Sequence, residues 1–506
     1  MPAANRAAAP VVISAPGDLD ANRIREIAAG RPIELTPALL AGVDRQCRAA
    51  REVLAGGAAV YGVNTGMGAL SGVPLTEPEQ LAHQRNLLLA RAAGGPPWLD
   101  AADVRAIIAV RLRTFLSGDS GVSAALCQQL AGLLDSGVAP AVPRTGVGSA
   151  GEIIPLAHAF GPLVGIGHVL GRAGRAVPAA GALARRGLGQ YRLGPREGHA
   201  LLAGVPGATA LCMMRLAEAE ALEAAMESAA ALSIAAAGAP RDPYAAACAR
   251  GDDLLAGVLG RLRAAVGGLS EPRALQAPVS FRVAGPVLAH VLRAGEALRA
   301  AIERALAGVT DSPAFLDGKF TGTAGFHGID LAAHCDLLTA ALAHAAEVSA
   351  ARLHRLLDTR VTGLPAQLAA RPGLDAGLVA VHKRAVGEAH ALRRLAVPAS
   401  IGLAETSGGQ EDVQSFAWEA ADALRGALSH ARAITACELL AGYRASSLSG
   451  HAAPDGCHQA LARLAEIVGP VGADEPFGED VERILGVLRT SGLDLAAGAN
   501  QPSAPA

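Results

Sequence analysis

An all-α protein built around a bundle of long helices is the fold class this sequence predicts, and three observations carry it. From Ala208 to Ala237 the chain runs without a Gly or Pro, a stretch that would extend about 45 Å as a helix. Leu331, Cys335, Leu338, Leu342, Ala346, Leu353 and Leu356 recur at the spacings of one helix face. Hydrophobic residues make up 51% of the chain but aromatics only 3%. The core is therefore mainly Ala, Leu and Val, and such small side chains let helices approach closely.

Taken in order, the first twenty residues are Pro- and Ala-rich and predict a loosely ordered start. Two short helical patterns follow between Asp20 and Gly56, separated by a turn at Gly30-Arg31-Pro32. A glycine-rich loop from Tyr61 to Gly72 leads into a helical stretch from Glu77 to Ala93. Helices continue to about Ser136, and a second glycine-rich loop spans Gly146 to Gly151. Beyond Gly207 the long helices begin: Ala208–Ala237, Val287–Ala307, the face from Leu331 to Leu356, and a fourth from about Asp412 towards Ser447. Long amphipathic helices without strand alternation make a bundle. The organisation expected is a loop-rich N-terminal region (1–206), a long-helix bundle (207–485) and a flexible tail (486–506), with no internal repeat. The small-residue helix faces are expected to find further cover in neighbouring subunits.

The 506 residues carry 44 basic and 46 acidic side chains, and the net charge of -2 gives no electrostatic case for nucleic acid or an acidic membrane surface. With 60 Gly and 30 Pro, the remainder is largely loop. Cys47, Cys127, Cys212, Cys248, Cys335, Cys437 and Cys457 are scattered with no CxxC pair, which reads as reduced core thiols. The N-terminus has no basic segment followed by an apolar run. Arg215, Glu218, Glu220, Glu223 and Glu227 interrupt the longest apolar stretch, so no spanning helix is expected and the chain reads as cytoplasmic. No metal-ligand cluster, phosphate loop or dinucleotide fingerprint stands out.

Several motifs then fall in one order. They are Val60-Tyr-Gly-Val-Asn-Thr-Gly-Met-Gly68, Gln84-Arg-Asn-Leu-Leu-Leu-Ala-Arg-Ala-Ala-Gly94, Val147-Gly-Ser-Ala-Gly-Glu-Ile-Ile-Pro-Leu-Ala-His158 and Arg196-Glu-Gly-His-Ala-Leu-Leu-Ala-Gly204. Ser280-Phe-Arg282, Gly325-Phe-His-Gly328, Gly363-Leu-Pro365 and Gln410-Glu-Asp412 follow. This series resembles the aromatic amino-acid ammonia-lyases and aminomutases, the family of histidine, phenylalanine and tyrosine ammonia-lyases, over roughly residues 20 to 480. The resemblance implies the ammonia-lyase fold, an all-helical homotetramer whose active sites are each assembled from three subunits.

The family's chemistry turns on an electrophile, 4-methylideneimidazole-5-one, cyclised from an internal Ala-Ser-Gly. The middle serine loses its hydroxyl as water to give the methylidene. Here the tripeptide is Ser149-Ala150-Gly151, and Ala150 has no hydroxyl to lose. Ser149 stands one position early, so its side chain would hang from the wrong ring carbon. Ala203 replaces the family's Asn, Glu152 replaces Asp, and Val279 occupies the place of a tyrosine. The chain is also one residue short between Pro143 and Gly151. No methylideneimidazolone and no other cofactor or metal is expected.

The remaining site residues are carried by the resemblance. Tyr61 matches the acid–base tyrosine, though a buried tyrosine that merely closes a loop would look the same. An ordinary tyrosine has a pKa of about 10, so that role demands a cationic or hydrogen-bonding neighbour. Asn64 in the same loop is counted with the substrate-binding residues. Arg282 matches the arginine that grips the substrate carboxylate in a planar two-point contact; its other reading is a structural salt bridge. Glu411 matches the acidic residue near the substrate amine, or else an interface ion pair. Phe326 and His327 fall in a turn where capping or core packing competes with substrate contact, and Glu197 reads as structural. Arg91 stands where the family reads the substrate side chain, commonly with a His. An arginine there either favours a negative or strongly accepting group, making the substrate dianionic together with Arg282, or pairs with a neighbouring carboxylate.

These residues leave three readings. One is an enzyme without the electrophile, performing a lyase-type elimination, addition or isomerisation on an activated, amino-acid-like carboxylate through Tyr61. The second is a non-catalytic binding or scaffold subunit, one that partners an active paralogue. The third is an ordinary ammonia-lyase, which Ala150 argues against. Retained pocket charges beside a lost hydroxyl favour the first.

Overall fold

In the computed structural model the described residues run from 9 to 490, apart from 172–173, 268–270 and 451. The long helices form where the sequence places them, at Pro206–Ala237, Ala284–Ala307, Ile329–Leu356 and Ala417–Leu448. Pro206 opens the first of them, at a position where a missing N–H costs nothing. The fourth starts five residues later than Asp412, because residues 406–411 are tied into a bridged turn by the Thr406–Glu411 pair.

Strands are present as well, which the sequence did not suggest. Val11–Ile13 pairs in parallel with Ile33–Leu35, and two antiparallel ribbons join His168–Leu170 to Ala176–Pro178 and Ala314–Leu316 to Lys319–Thr321. Three residues are too few for an alternation to show above the background. The first pair also corrects the expectation of a loose start, since residues 11–13 are ordered by it; residues 1–8 lie outside the described residues. Helix Phe477–Thr490 takes in the first five residues assigned to the tail, and the rest of that tail lies outside the described residues.

The chain divides into two units, neither continuous in sequence. The first comprises the residues up to Met214 with Arg299–Cys335 and Pro398–Asp422; the second comprises Arg215–Leu298, Asp336–Val397 and the residues from Ala423 onward. The single division at Gly207 differs from this because boundaries at Met214 and Cys335 fall inside long helices. By length and apolar content the stretch Glu197–Ala237 could cross a membrane, contrary to expectation, but 89% of its most apolar window is buried inside the protein. All the cysteines are free, and all but Cys248 are buried.

In the first unit, helix Ala101–Leu116 is almost wholly buried and carries its own capping cation. Arg105 donates from Nε to the carbonyls of Ile27 (3.2 Å) and Ala28 (3.1 Å), and from Nη1 to Leu134 O (2.5 Å). It thereby satisfies the C-terminal carbonyls of helices Ala21–Ala28 and Ala124–Asp135, where a positive charge is also favoured. Helix Glu77–Arg91 begins with a capping box: the Glu79 carboxylate accepts from the Thr76 amide (2.8 Å) and hydroxyl (2.6 Å). Its buried residues Gln84, Leu87 and Leu88 share one face with Arg91 in the last turn.

In the second unit, buried Glu438 accepts from Ser233 Oγ at 2.7 Å, Ser349 Oγ at 2.5 Å and Arg352 Nε at 2.7 Å. Three long helices are thus joined by one satisfied carboxylate. Removing the acid leaves the Arg352 cation buried without its counter-charge. Glu438→Ala is expected to lower the unfolding free energy by about 3–5 kcal/mol. A urea titration followed by circular dichroism checks this, and a loss below about 1 kcal/mol would reduce the cluster to an incidental contact.

Candidate active site

A cavity of about 640 Å³ opens in the first unit, with Tyr61, Met67, Ala150, Gly151, His199, Phe326, His327 and Glu411 among its lining residues. Four loops meet there, and each is held by hydrogen bonds that can be named.

The tyrosine loop is closed by Asn64, whose Oδ1 accepts from Val60 N (2.7 Å) and whose Nδ2 donates to Ala58 O (2.8 Å). Both ends of that amide are engaged in the loop, and Asn64 is not among the residues lining the cavity. Within the loop the Tyr61 oxygen accepts from Gly68 N–H at 2.7 Å. That contact takes an acceptor position and leaves the phenolic proton free to donate. Gly62 follows with a positive φ of 69°, and a Cβ on it would sit 2.4 Å from His199 Cδ2. Only glycine allows the tyrosine loop to lie so close to the histidine.

On the same cavity, Glu411 accepts from Thr406 Oγ1 (3.0 Å), Ser407 Oγ (3.1 Å) and the amide of Ala150 (3.0 Å). One carboxylate therefore positions the 406–411 turn against the Ser149-Ala150-Gly151 loop. Ser149 Oγ donates to Gly151 O at 3.2 Å, and Gly151 has a positive φ of 85°. The next residue, Glu152, is buried and accepts from Gly207 N (2.6 Å) and Ala208 N (2.5 Å) at the start of the long helix. Burial pushes its carboxyl up to about 7, against the pull of those two amides. Ala203 also lines the cavity, with its carbonyl held by Arg111. Arg111 pairs with Asp311 at 2.7 Å. Burial alone would raise the Asp311 carboxyl, but Arg111 and Ser120 bring it below the ordinary range.

Phe326 and His327 line the cavity from a short turn, Gly325–His327, anchored by Ser415 Oγ donating to the His327 carbonyl. His327 Nε2 is buried with no hydrogen-bond partner among the described residues. Arg91 is not in the lining, but Tyr61 and Glu411, which are, lie close enough to raise its pKa against the larger lowering by burial. Arg282 belongs to the second unit, on the short helix Val279–Arg282, and is not a lining residue of this cavity. Glu197 is saturated by Ser123, Tyr191 and Gly194.

The structure adds a residue that motif reading passed over. His199 is buried, lines the cavity and meets the Tyr61 ring edge-on, with centroids 6.0 Å apart and planes at 87°. Its backbone N–H donates to Gln84 Oε1 at 2.9 Å, while Gln84 Nε2 donates to Gly62 O at 3.3 Å. Burial first, then the Arg196 charge, pull the imidazole down to about 3, so it is neutral at ordinary pH. The available signal was the His within the Arg196-Glu-Gly-His segment itself.

A sequence profile described as aromatic amino acid lyase matches residues 19–466. The histidine ammonia-lyase of Streptomyces avermitilis is 34% identical over 87% of this chain and 88% of its own length. That of Shewanella pealeana is 32% identical, covering 95% and 97%. Among solved structures, tyrosine aminomutase from Streptomyces globisporus superposes with a TM-score of 0.89 at 26% identity, covering 97% of this chain and 98% of the other. Ergothionase from Treponema denticola, solved with desmethyl-ergothioneine sulfonic acid, shares the fold at a TM-score of 0.89 and 23% identity, covering 94% and 98%. The chain belongs to the aromatic amino acid lyase family, whose members here are ammonia-lyases and aminomutases with a predominantly helical fold.

The residues at the centre of the prosthetic-group loop do not fit the group that the family implies. Ala150 carries a methyl where dehydration needs a hydroxyl, and the one nearby hydroxyl, Ser149 Oγ, is directed onto the Gly151 carbonyl.

The His199 shift has a checkable consequence. Its folded pKa of about 3 lies below the ordinary 6.5, so between those values the unfolded chain binds a proton that the folded chain does not. Stability from this group is complete above pH 6.5 and falls with pH towards 3. His199→Leu is expected to flatten that acid limb, narrowing the difference in melting temperature between pH 7.5 and pH 5. An unchanged difference would mean that the imidazole is already solvated.

Proposed function

We propose that this chain catalyses a lyase-type elimination, its reverse addition, or an isomerisation on an amino-acid-like carboxylate whose reacting carbon is already activated, without a methylideneimidazolone. The observation that carries this reading is the pairing of an intact acid–base side with a disabled electrophile. Tyr61, Glu411 and Ala150 line one cavity, and the Ala150 amide donates to the Glu411 carboxylate. In the elimination, Tyr61 Oη in its deprotonated form takes the proton on the β-carbon. The C–H electrons become the double bond, and the leaving group departs from the α-carbon with its own pair. Positioned proton transfer of this kind contributes about 10²–10⁴-fold, too little for an unactivated amino acid, so the substrate must supply the better leaving group. Glu411 places a carboxylate where a positive charge on a leaving nitrogen would be favoured. Arg282 holds the substrate carboxylate from another copy of the chain, in a homotetramer with shared active sites.

A second reading has specific support: relatives 34% and 32% identical are histidine ammonia-lyases, which favours the ordinary reaction. Intact mass and a near-ultraviolet difference spectrum separate the two. An unmodified mass with no imidazolone band is expected; loss of two waters with such a band restores the ordinary lyase. Turnover is then read with ordinary amino acids and with their N-trimethylated forms, whose nitrogen leaves as a neutral amine. Reaction of the latter alone is expected, and Tyr61→Phe should lower kcat by about 10²-fold or more. No turnover of either set, with binding retained, would leave a scaffold.

A further inference from the structure

The Sγ atoms of Cys212 and Cys335 stand 3.2 Å apart, and both side chains are fully buried. One belongs to helix Pro206–Ala237 and the other to helix Ile329–Leu356, at positions that both fall within the first unit. A second contact fixes how these helices run. A Cβ on Gly328 would lie 3.2 Å from Val205 Cγ1, so Val205 packs onto the bare backbone at Gly328. Cys212 follows Val205 by seven residues, and Cys335 follows Gly328 by seven. Equal offsets in the same chain direction make a parallel seam, since seven residues bring a helix back to the same face after about two turns. The first contact of that seam adjoins the cavity. Ala203 and Gly204, which run into one helix, are lining residues, as are Phe326 and His327, which run into the other. The thiols therefore sit about two turns along the very helices that these cavity walls begin.

We propose that Cys212 and Cys335 are a redox pair, which a small hydroperoxide joins in a disulfide that braces the two helix starts behind the cavity. One thiol gives up its proton and its sulfur attacks a peroxide oxygen: an S–O bond forms, the O–O bond breaks and a first water leaves. The second sulfur then attacks the sulfenic sulfur: the S–S bond forms, the S–O bond breaks and a second water leaves. The two sulfurs lose two electrons between them, and the peroxide oxygens take them up. Closing the gap from 3.2 Å to a bonded distance of about 2.05 Å asks for only ~1 Å of movement. Because the sulfurs are out of water, peroxide reaches them through local opening of the helix starts, and thiol reductants reverse the bond by the same route. The brace stands whether or not the cavity performs the elimination.

The test uses the full-length protein carrying Cys248→Ser, which removes the exposed thiol. Folded protein is treated with hydrogen peroxide and read by intact mass, peptide mapping and amide hydrogen exchange, before and after dithiothreitol. Loss of two hydrogens is expected, with tryptic peptides 197–215 and 320–352 linked to each other. Exchange at the helix starts, residues 204–212 and 327–335, is expected to slow by about 10-fold or more and to recover on reduction. In Cys212→Ser, and separately in Cys335→Ser, peroxide should leave exchange there unchanged. Each comparison is made within one protein, so a variant's lower stability cancels, and the oxidised and re-reduced parent decides the matter without either variant. Added oxygen on either cysteine without the link, or a link that forms only in urea, overturns the pair. A link that leaves exchange at the helix starts unaltered overturns the brace, as does slowing that persists in either serine variant.

Discussion

Glu152 is held out of water, yet each of its oxygens accepts an amide at the start of the long helix Pro206–Ala237, from Gly207 and Ala208. A helix start exposes unpaired N–H groups and a partial positive charge, so an acceptor there is both needed and favoured. The contact is possible because position 207 has no side chain: a Cβ would fall 2.4 Å from Trp418 Cζ3 and 2.5 Å from Glu152 Oε2. With that loop end fixed, Ala150 and Gly151 are placed, and through the Ala150 amide so is Glu411. The chemistry of the cavity is therefore laid out by a carboxylate that does not line it.

A second constraint acts from the other side. Gln84 donates to Gly62 O and accepts from His199 N, using both ends of one buried amide to join the tyrosine loop to helix Glu197–Leu202. The ring of His199 then meets Tyr61 edge-on, a favourable arrangement for aromatic rings. Position 199 matters for more than packing, because a polar ring with an unpartnered nitrogen occupies space that an apolar side chain would simply fill.

The parts legible in the sequence were those governed by local rules. The absence of Gly and Pro between Ala208 and Ala237, and the spacing from Leu331 to Leu356, place two long helices within a few residues of their ends. Three-residue strands such as Val11–Ile13 leave no such trace, because pairing with Ile33–Leu35 depends on contacts twenty-two residues away. The site was legible where a motif gave residue types and silent where geometry decided their use. Asn64 sits in the right loop but spends its amide on Ala58 and Val60. Arg282 matches its motif but does not line the cavity. His199 was present in a quoted segment, and its significance depends on a packing partner far along the chain.

The Tyr61 oxygen takes its amide donor from Gly68, seven residues along the same loop, and needs nothing from the Ser149–Gly151 segment to hold it. The position of Tyr61 is thus set independently of the Ser149–Gly151 segment. On the function proposed above, part of the work that an electrophile would do falls instead to the molecule bound.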